Sequence, residues 1–172
     1  MIRFFGGRVM TLANGIETQD IEVWTEGSKI VFVGKPKAEE LDGKVFEREY
    51  DLKGNLLMPS FKNAHTHSAM TFLRSYADDM PLQDWLFKQI FPMEAKLDGE
   101  KVYWLTKLAI LEYLTTGCTA AFDMYFELDD YVKACIESGF RSVLCGAVSG
   151  DKSFFIARFF TAPFFVKKMQ PY

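Results

Sequence analysis

The chain has 172 residues, with 20 Lys and Arg against 23 Asp and Glu, for a formal net charge of −3. Such a balance excludes a partner held by counterion release, so neither nucleic acid nor an anionic membrane is expected. With 49% hydrophobic and 25% charged residues the chain can bury a core, which excludes disorder as a description of the whole.

In chain order, residues 1–55 read as strands and turns. Ile21 and Val23 alternate with polar neighbours, and Ile30-Val31-Phe32-Val33 is a short apolar run. Asn14-Gly15, Glu26-Gly27 and Asp42-Gly43 mark turns, so a small antiparallel sheet or half-sandwich is expected. The opening Met1-Ile2-Arg3-Phe4-Phe5-Gly6-Gly7 lacks the apolar stretch of a signal peptide, and no run approaches the roughly 20 apolar residues of a membrane span. The three cysteines, Cys118, Cys135 and Cys145, are odd in number and lack CxxC spacing, which predicts a reduced, cytoplasmic protein.

From Leu56 the pattern changes. Leu56-Leu57-Met58 reads as a strand buried on both faces, as in a parallel sheet, and leads through Pro59 to Asn63-Ala64-His65-Thr66-His67. Asp98 is placed to cap a well-buried helix running to Thr116, with Gly117 ending it. Cys118 to Phe122 is the next strand, and Leu128, Tyr131, Val132, Cys135 and Ile136 form the apolar stripe of a helix closed by Gly139. Arg141 to Val148 supplies a third strand. This alternation predicts an α/β fold with parallel strands and right-handed crossovers, the unit of a barrel or a doubly wound sheet. Residues 151–172 fit neither pattern, because Phe154, Phe155, Phe159, Phe160, Phe164 and Phe165 crowd without a sustained period and Pro163 interrupts them. A terminal helix on the partial sheet and a loosely ordered end are both consistent with this segment.

His65 and His67 are the only histidines, two apart at a predicted strand end. Residues i and i+2 of a strand share a face, so both imidazoles can converge on one metal ion. An HxH alone is a weak signal, but the carboxyl end of a parallel strand is where α/β sites are built.

The residues around the pair carry more. Met58-Pro59-Ser60-Phe61-Lys62-Asn63-Ala64-His65-Thr66-His67 resembles the first barrel strand of the amidohydrolase superfamily, in which the pattern M-P-G-hydrophobic-x-N-x-H-x-H recurs. The likeness continues through Arg74 to Asp79, Pro81 to Leu86 and Ile90 to Ala95, and Ala121 to Phe126 resembles the second barrel strand. Over residues 1–149 the chain looks like the 5-methylthioadenosine/S-adenosylhomocysteine deaminase branch, whose neighbours include guanine deaminase and the triazine chlorohydrolases.

The resemblance implies a β-sandwich portion at 1–55, the first βα units of an incomplete (β/α)8 TIM-type barrel at 56–150, and an atypical Phe-rich tail at 151–172. It makes His65 and His67 ligands of a divalent metal, usually zinc. Glu94 matches an acidic residue that accepts hydrogen bonds from ribose hydroxyls, and Trp85 matches an aromatic near the substrate, a small-molecule purine nucleoside. Glu94 also reads as a solvated helix residue. Trp85, with Leu82, Leu86 and Ile90 at helical spacing, also reads as core. Asp123 either caps a turn or orients a histidine from behind. In the family's reaction an activated water attacks the amino-bearing carbon of a purine and ammonia leaves. The later metal ligands and the proton shuttle of that family lie beyond the third strand, so no catalytic residue is assigned in this chain, and Gly146 stands near where the branch places a substrate Arg. A complete barrel needs about 250 residues. Open sheet edges then imply self-association or completion by another chain, and the tail suggests a truncated or frame-altered reading of a longer gene. The enzymatic expectation is a metal-dependent hydrolytic deaminase. The alternatives are an inactive fragment or interaction module, and a guanine deaminase or triazine chlorohydrolase-like hydrolase. A cytidine-deaminase site is excluded because HxE and PCxxC are absent.

Overall fold

The structure, a computed structural model, describes residues 1–13 and 15–146 and a two-residue strand at 160–161. The chain forms two compact units that divide between Pro59 and Ser60.

The first unit holds β1 (Ile2–Phe5), β2 (Arg8–Thr11), β3 (Glu17–Gln19), β4 (Glu22–Glu26), β5 (Lys29–Gly34), a helical turn α1 (Ala38–Leu41), β6 (Arg48–Asp51) and β7 (Leu56–Leu57). They make a four-stranded sheet in the order β5-β4-β1-β6 and a three-stranded sheet in the order β3-β2-β7. The antiparallel expectation holds for β1·β4, β4·β5 and β2·β3, but β6 and β7 run parallel to β1 and β2. Tight turns join sequence neighbours antiparallel, and here the end of the segment returns to its own beginning through a long connection, which allows parallel pairing. The core gathers on Trp24, which stacks on Phe32 at 4.2 Å and meets the edge of Phe46 at 5.1 Å. Beside it the Arg3 guanidinium donates to both Glu22 oxygens at 2.7 Å and to Glu49 at 2.9 Å, tying β4, β1 and β6 together. Gly7 is required by close approach, since a Cβ there would lie 2.4 Å from the Asn55 carbonyl oxygen.

The predicted strand at Leu56–Met58 is corrected by this pairing. Leu56 and Leu57 belong to the small sheet, and Leu56 and Met58 are 44% and 40% exposed rather than buried on both faces. Pro59 offers no N–H to a ladder, and the parallel strand opens after it.

The second unit holds β8 (Phe61–Thr66), a 3₁₀ turn (Ser68–Leu73), α2 (Leu82–Asp84), a π-helical turn (Trp85–Ile90), α3 (Phe91–Glu94), α4 (Gly99–Thr115), β9 (Cys118–Tyr125), α5 (Leu128–Ser138), β10 (Arg141–Gly146) and β11 (Phe160–Thr161). β8, β9 and β10 are parallel with β9 central, and β11 lies antiparallel on β10. The fold is therefore mixed α/β. The rest of the Phe-rich tail lies outside the described residues.

The Asp98 side chain accepts from the Lys101 N–H and starts α4, and Gly139, at φ +63°, closes α5 as its pattern requires. Val102, Thr106, Ala109 and Ile110 are the buried residues of α4, whereas Leu114 is 49% exposed, so this helix is half-buried, not enclosed as its pattern suggested. Its buried face packs with Ala69, Tyr125, Phe140 and Leu144 in the core. Cys118 opens a strand that runs to Tyr125, past the predicted end at Phe122.

Candidate functional site

Both histidines lie at the carboxyl end of β8. The β8–β9 ladder pairs Asn63 with Ala121 and resumes at Thr66 with Asp123, so its register breaks around Ala64 and His65. Such a bulge re-aims side chains at a strand end. The His65 N–H donates to Asn63 Oδ1 at 3.1 Å, which shapes this bend. The two imidazole rings stand 5.0 Å apart between centroids at an interplanar angle of 82°.

His67 Nδ1 lies 2.8 Å from the Met124 carbonyl oxygen, which can only accept, so the ring carries its proton on Nδ1. That leaves Nε2 with a free lone pair, the tautomer a metal ligand needs. A zinc–nitrogen bond of about 2.0–2.1 Å lets rings at this separation share one ion. The pair thus fits two positions of a metal sphere. Among the described residues no group of three His, Cys, Asp or Glu could hold a metal, so the three-ligand set of a catalytic zinc site is not formed by them.

A buried polar network fixes the backbone on either side of His67. The Asp123 carboxylate accepts from the Ser68 N–H at 3.1 Å and from the hydroxyls of Ser68 and Tyr131. The Tyr113 hydroxyl lies 2.8 Å from Ser68 Oγ and 2.6 Å from Thr66 Oγ1. All hydroxyls can donate in one direction, Thr66 to Tyr113, Tyr113 to Ser68, and Ser68 and Tyr131 to Asp123, so the single carboxylate orients the set. Burial pushes the Asp123 carboxyl above its ordinary range, against the pull of these donors and of His67. Asp123 was expected at a strand end, either capping a turn or orienting a histidine from behind. It sits inside β9 and holds the turn that follows His67.

Beside His67 lies a cavity of about 140 Å³ lined by Trp85, Glu94, Met124 and Tyr125. A larger one of about 470 Å³ shares Phe91, Glu94, Tyr125 and Phe126 and extends to Leu97 and Val102. Trp85 and Glu94, predicted from sequence, are therefore brought to the same cavity as His67, while His65 is exposed and does not line it. Trp85 is half-buried on the π-helical turn and is not enclosed in the core. Burial raises the Glu94 carboxyl above its usual range, with Tyr125 and His67 opposing the shift. Burial and the neighbouring Glu94 charge also raise the Tyr125 phenol, which keeps its proton.

Tyr125, Met124 and Tyr131 were not singled out as site residues from the sequence, Tyr131 entering only through the helix stripe. Strand alternation contained a signal for Tyr125, because residues two apart share a face and Asp123 and Tyr125 are both buried. A carbonyl such as that of Met124 leaves no trace in residue types.

Comparison with known proteins follows the same residues. The sequence profile of the amidohydrolase family matches residues 56–154. A 5-methylthioadenosine/S-adenosylhomocysteine deaminase of Desulfitobacterium hafniense is 42% identical over 130 residues, 76% of this chain and 30% of that protein. A 5′-deoxyadenosine deaminase of Methanospirillum hungatei is 56% identical over 94 residues, 55% of this chain and 21% of that protein. Among solved structures, an adenosine deaminase from Xanthomonas campestris with bound zinc superposes with a TM-score of 0.76 at 33% identity, covering 83% of this chain and 33% of that one. The matched part of the chain thus spans between about a fifth and a third of the length of these relatives.

Proposed function

Because the chain belongs to the amidohydrolase family, we propose that it carries the metal-binding and ribose-binding part of a hydrolytic deaminase acting on adenosine-type nucleosides. The observation that carries this reading is His67, its Nδ1 held by the Met124 carbonyl, in one cavity with Glu94 and Trp85. The names of the relatives, which are adenosine-type deaminases, support the same reaction class. We read residues 1–55 as part of a β-sandwich and β8 to β10 as the first strands of a (β/α)8 barrel.

In this reading His65 and His67 hold a divalent ion, with zinc favoured by the imidazole donors and by the zinc of the Xanthomonas neighbour. When bound, the ion supplies Lewis-acid chemistry toward water. Met124 keeps the His67 proton on Nδ1. Glu94 accepts hydrogen bonds from the ribose, and Trp85 offers an aromatic face to the purine.

A second reading, a non-catalytic module that keeps metal and nucleoside binding, is favoured by the lack, among the described residues, of any group of three His, Cys, Asp or Glu that could hold a metal. Metal analysis and ammonia release from 5′-methylthioadenosine separate the two. The first reading expects one ion per chain, and ammonia release once the chain replaces the matching segment of a full-length relative, both lost in His67→Ala. Metal and nucleoside bound without ammonia selects the second reading, and a chain that binds neither overturns both.

A further inference from the structure

α4 turns an apolar face to water as well as to the core. Val102, Thr106, Ala109 and Ile110 are its buried residues, and on the opposite side Trp104, Leu108 and Leu111 are exposed. A groove of about 410 Å³ between Phe72, Leu97, Trp104 and Leu105 opens beside this stripe, flanked by Glu100 and Lys101. A helix that is apolar on both sides is suited to burial on both sides.

The charges along the stripe identify what covers it. Lys101 and Glu112 stand eleven residues apart, close to three turns, so they share one flank of the stripe at its two ends. Lys101 bonds to Asp98, and Glu112 accepts from Arg74 at 2.7 Å. Both stay part-exposed and can bond further, since an ammonium has three donors and a carboxylate two acceptor oxygens. A base in the first turn and an acid in the last oppose the helix dipole, so this placement does not serve the stability of α4 itself.

Laid antiparallel on the stripe, a second copy answers these features. A two-fold axis between Lys107 and Leu108 sets Trp104 of each copy against Leu111 of the other, with that Leu111 over the groove. The same axis brings Lys101 to within about 3 Å, two residue rises, of the level of Glu112 in the other copy. The flank then alternates in sign across the copies, from Asp98 and Lys101 of one to Glu112 and Arg74 of the other. On the opposite flank Lys107 meets its own copy near the axis, where Glu137 of its own chain, 3.6 Å away, offsets its charge. We propose that the outer face of α4 is an isologous interface for a second copy of this chain, the two helices antiparallel and Lys101 of each copy paired with Glu112 of the other. The interface is independent of the nucleoside reading.

Sedimentation velocity of the full 172-residue chain at rising concentration tests it, on wild type, Lys101→Glu, Glu112→Lys and an equimolar mixture of the two variants. Wild type is expected to dimerise. Each variant alone sets like charges across the axis twice, and is expected to dimerise roughly tenfold more weakly. The mixture is expected to recover wild-type association, because both contacts of a mixed pair again join opposite charges. No contact within one chain explains such recovery, since the two positions lie about 16 Å apart along α4. Net repulsion does not explain the losses either, because Glu112→Lys lowers the negative charge of the chain. Both substitutions follow the helix dipole, so the circular dichroism of each variant is expected to match wild type. A wild type that is monomeric at every concentration, variants that associate as wild type does, or a mixture no better than its components overturns the interface.

Discussion

Glu94 shows how a single side chain takes its character from its surroundings. Without the family resemblance it reads foremost as a solvated helix residue. In the structure it is half-buried at the end of a helical segment whose π turn brings Trp85 and Glu94 to one cavity. Desolvation raises its pKa above the ordinary glutamate value, so the folded state favours the protonated carboxyl more than the unfolded one does. The sign of the linkage follows: the folded protein is best off below pH 4.5 with respect to this group, and loses stability as the pH rises through the raised pKa. The melting temperature of wild type minus that of Glu94→Gln, measured without ligand or metal, is therefore expected to fall as pH rises from 4 toward neutrality. A flat difference would show that the carboxyl is solvated after all. That His65 and His67 stand together at a strand end was legible because residues i and i+2 of a strand share a face, although an HxH alone is a weak signal for a metal. The tautomer of His67 was not, because a main-chain carbonyl sets it.

At the scale of elements, legibility followed local signals. α4 was announced by Asp98 at its cap and Gly117 beyond its end, and α5 by its stripe and Gly139, because these rest on neighbouring residues alone. The parallel return of β6 and β7 to β1 and β2 was not visible, since nothing in a strand's composition names a partner some 46 residues away. The misplacement of Leu56–Met58 has the same origin: an apolar run looks alike whether it completes a small sheet or opens a buried one. The network between β8, β9, α4 and α5 was likewise hidden, although Ser68, Tyr113, Asp123 and Tyr131 are each unremarkable residues in place. It predicts a measurable asymmetry. Tyr131→Phe removes one donor from a buried carboxylate and is expected to cost about 1–3 kcal/mol in denaturant unfolding, more than a change at an exposed tyrosine such as Tyr76. Equal stability of the two variants would mean that the Asp123 carboxyl does not depend on Tyr131.

At the scale of the whole chain, the second unit carries an uncovered face. Trp104, Leu108 and Leu111 are 61%, 44% and 59% exposed and lie on α4 at i, i+4 and i+7, which makes them one stripe. Monomeric proteins rarely leave such a stripe open, so sedimentation at rising concentration is expected to show association. Leu111→Lys is expected to reduce it, and a monomer at all concentrations would show that the stripe is tolerated in water. No helix among the described residues is long and apolar enough to cross a membrane. The bond from His67 to Met124 spans 57 positions of the chain, and this separation reaches beyond geometry. In the unfolded chain the two histidines are ordinary neighbours with freely exchanging tautomers. Only the docking of β9 selects the nitrogen that remains open to a metal. Any preference of the ion for the folded chain over the unfolded one is then returned as resistance to unfolding, so chelation and denaturation act on one equilibrium.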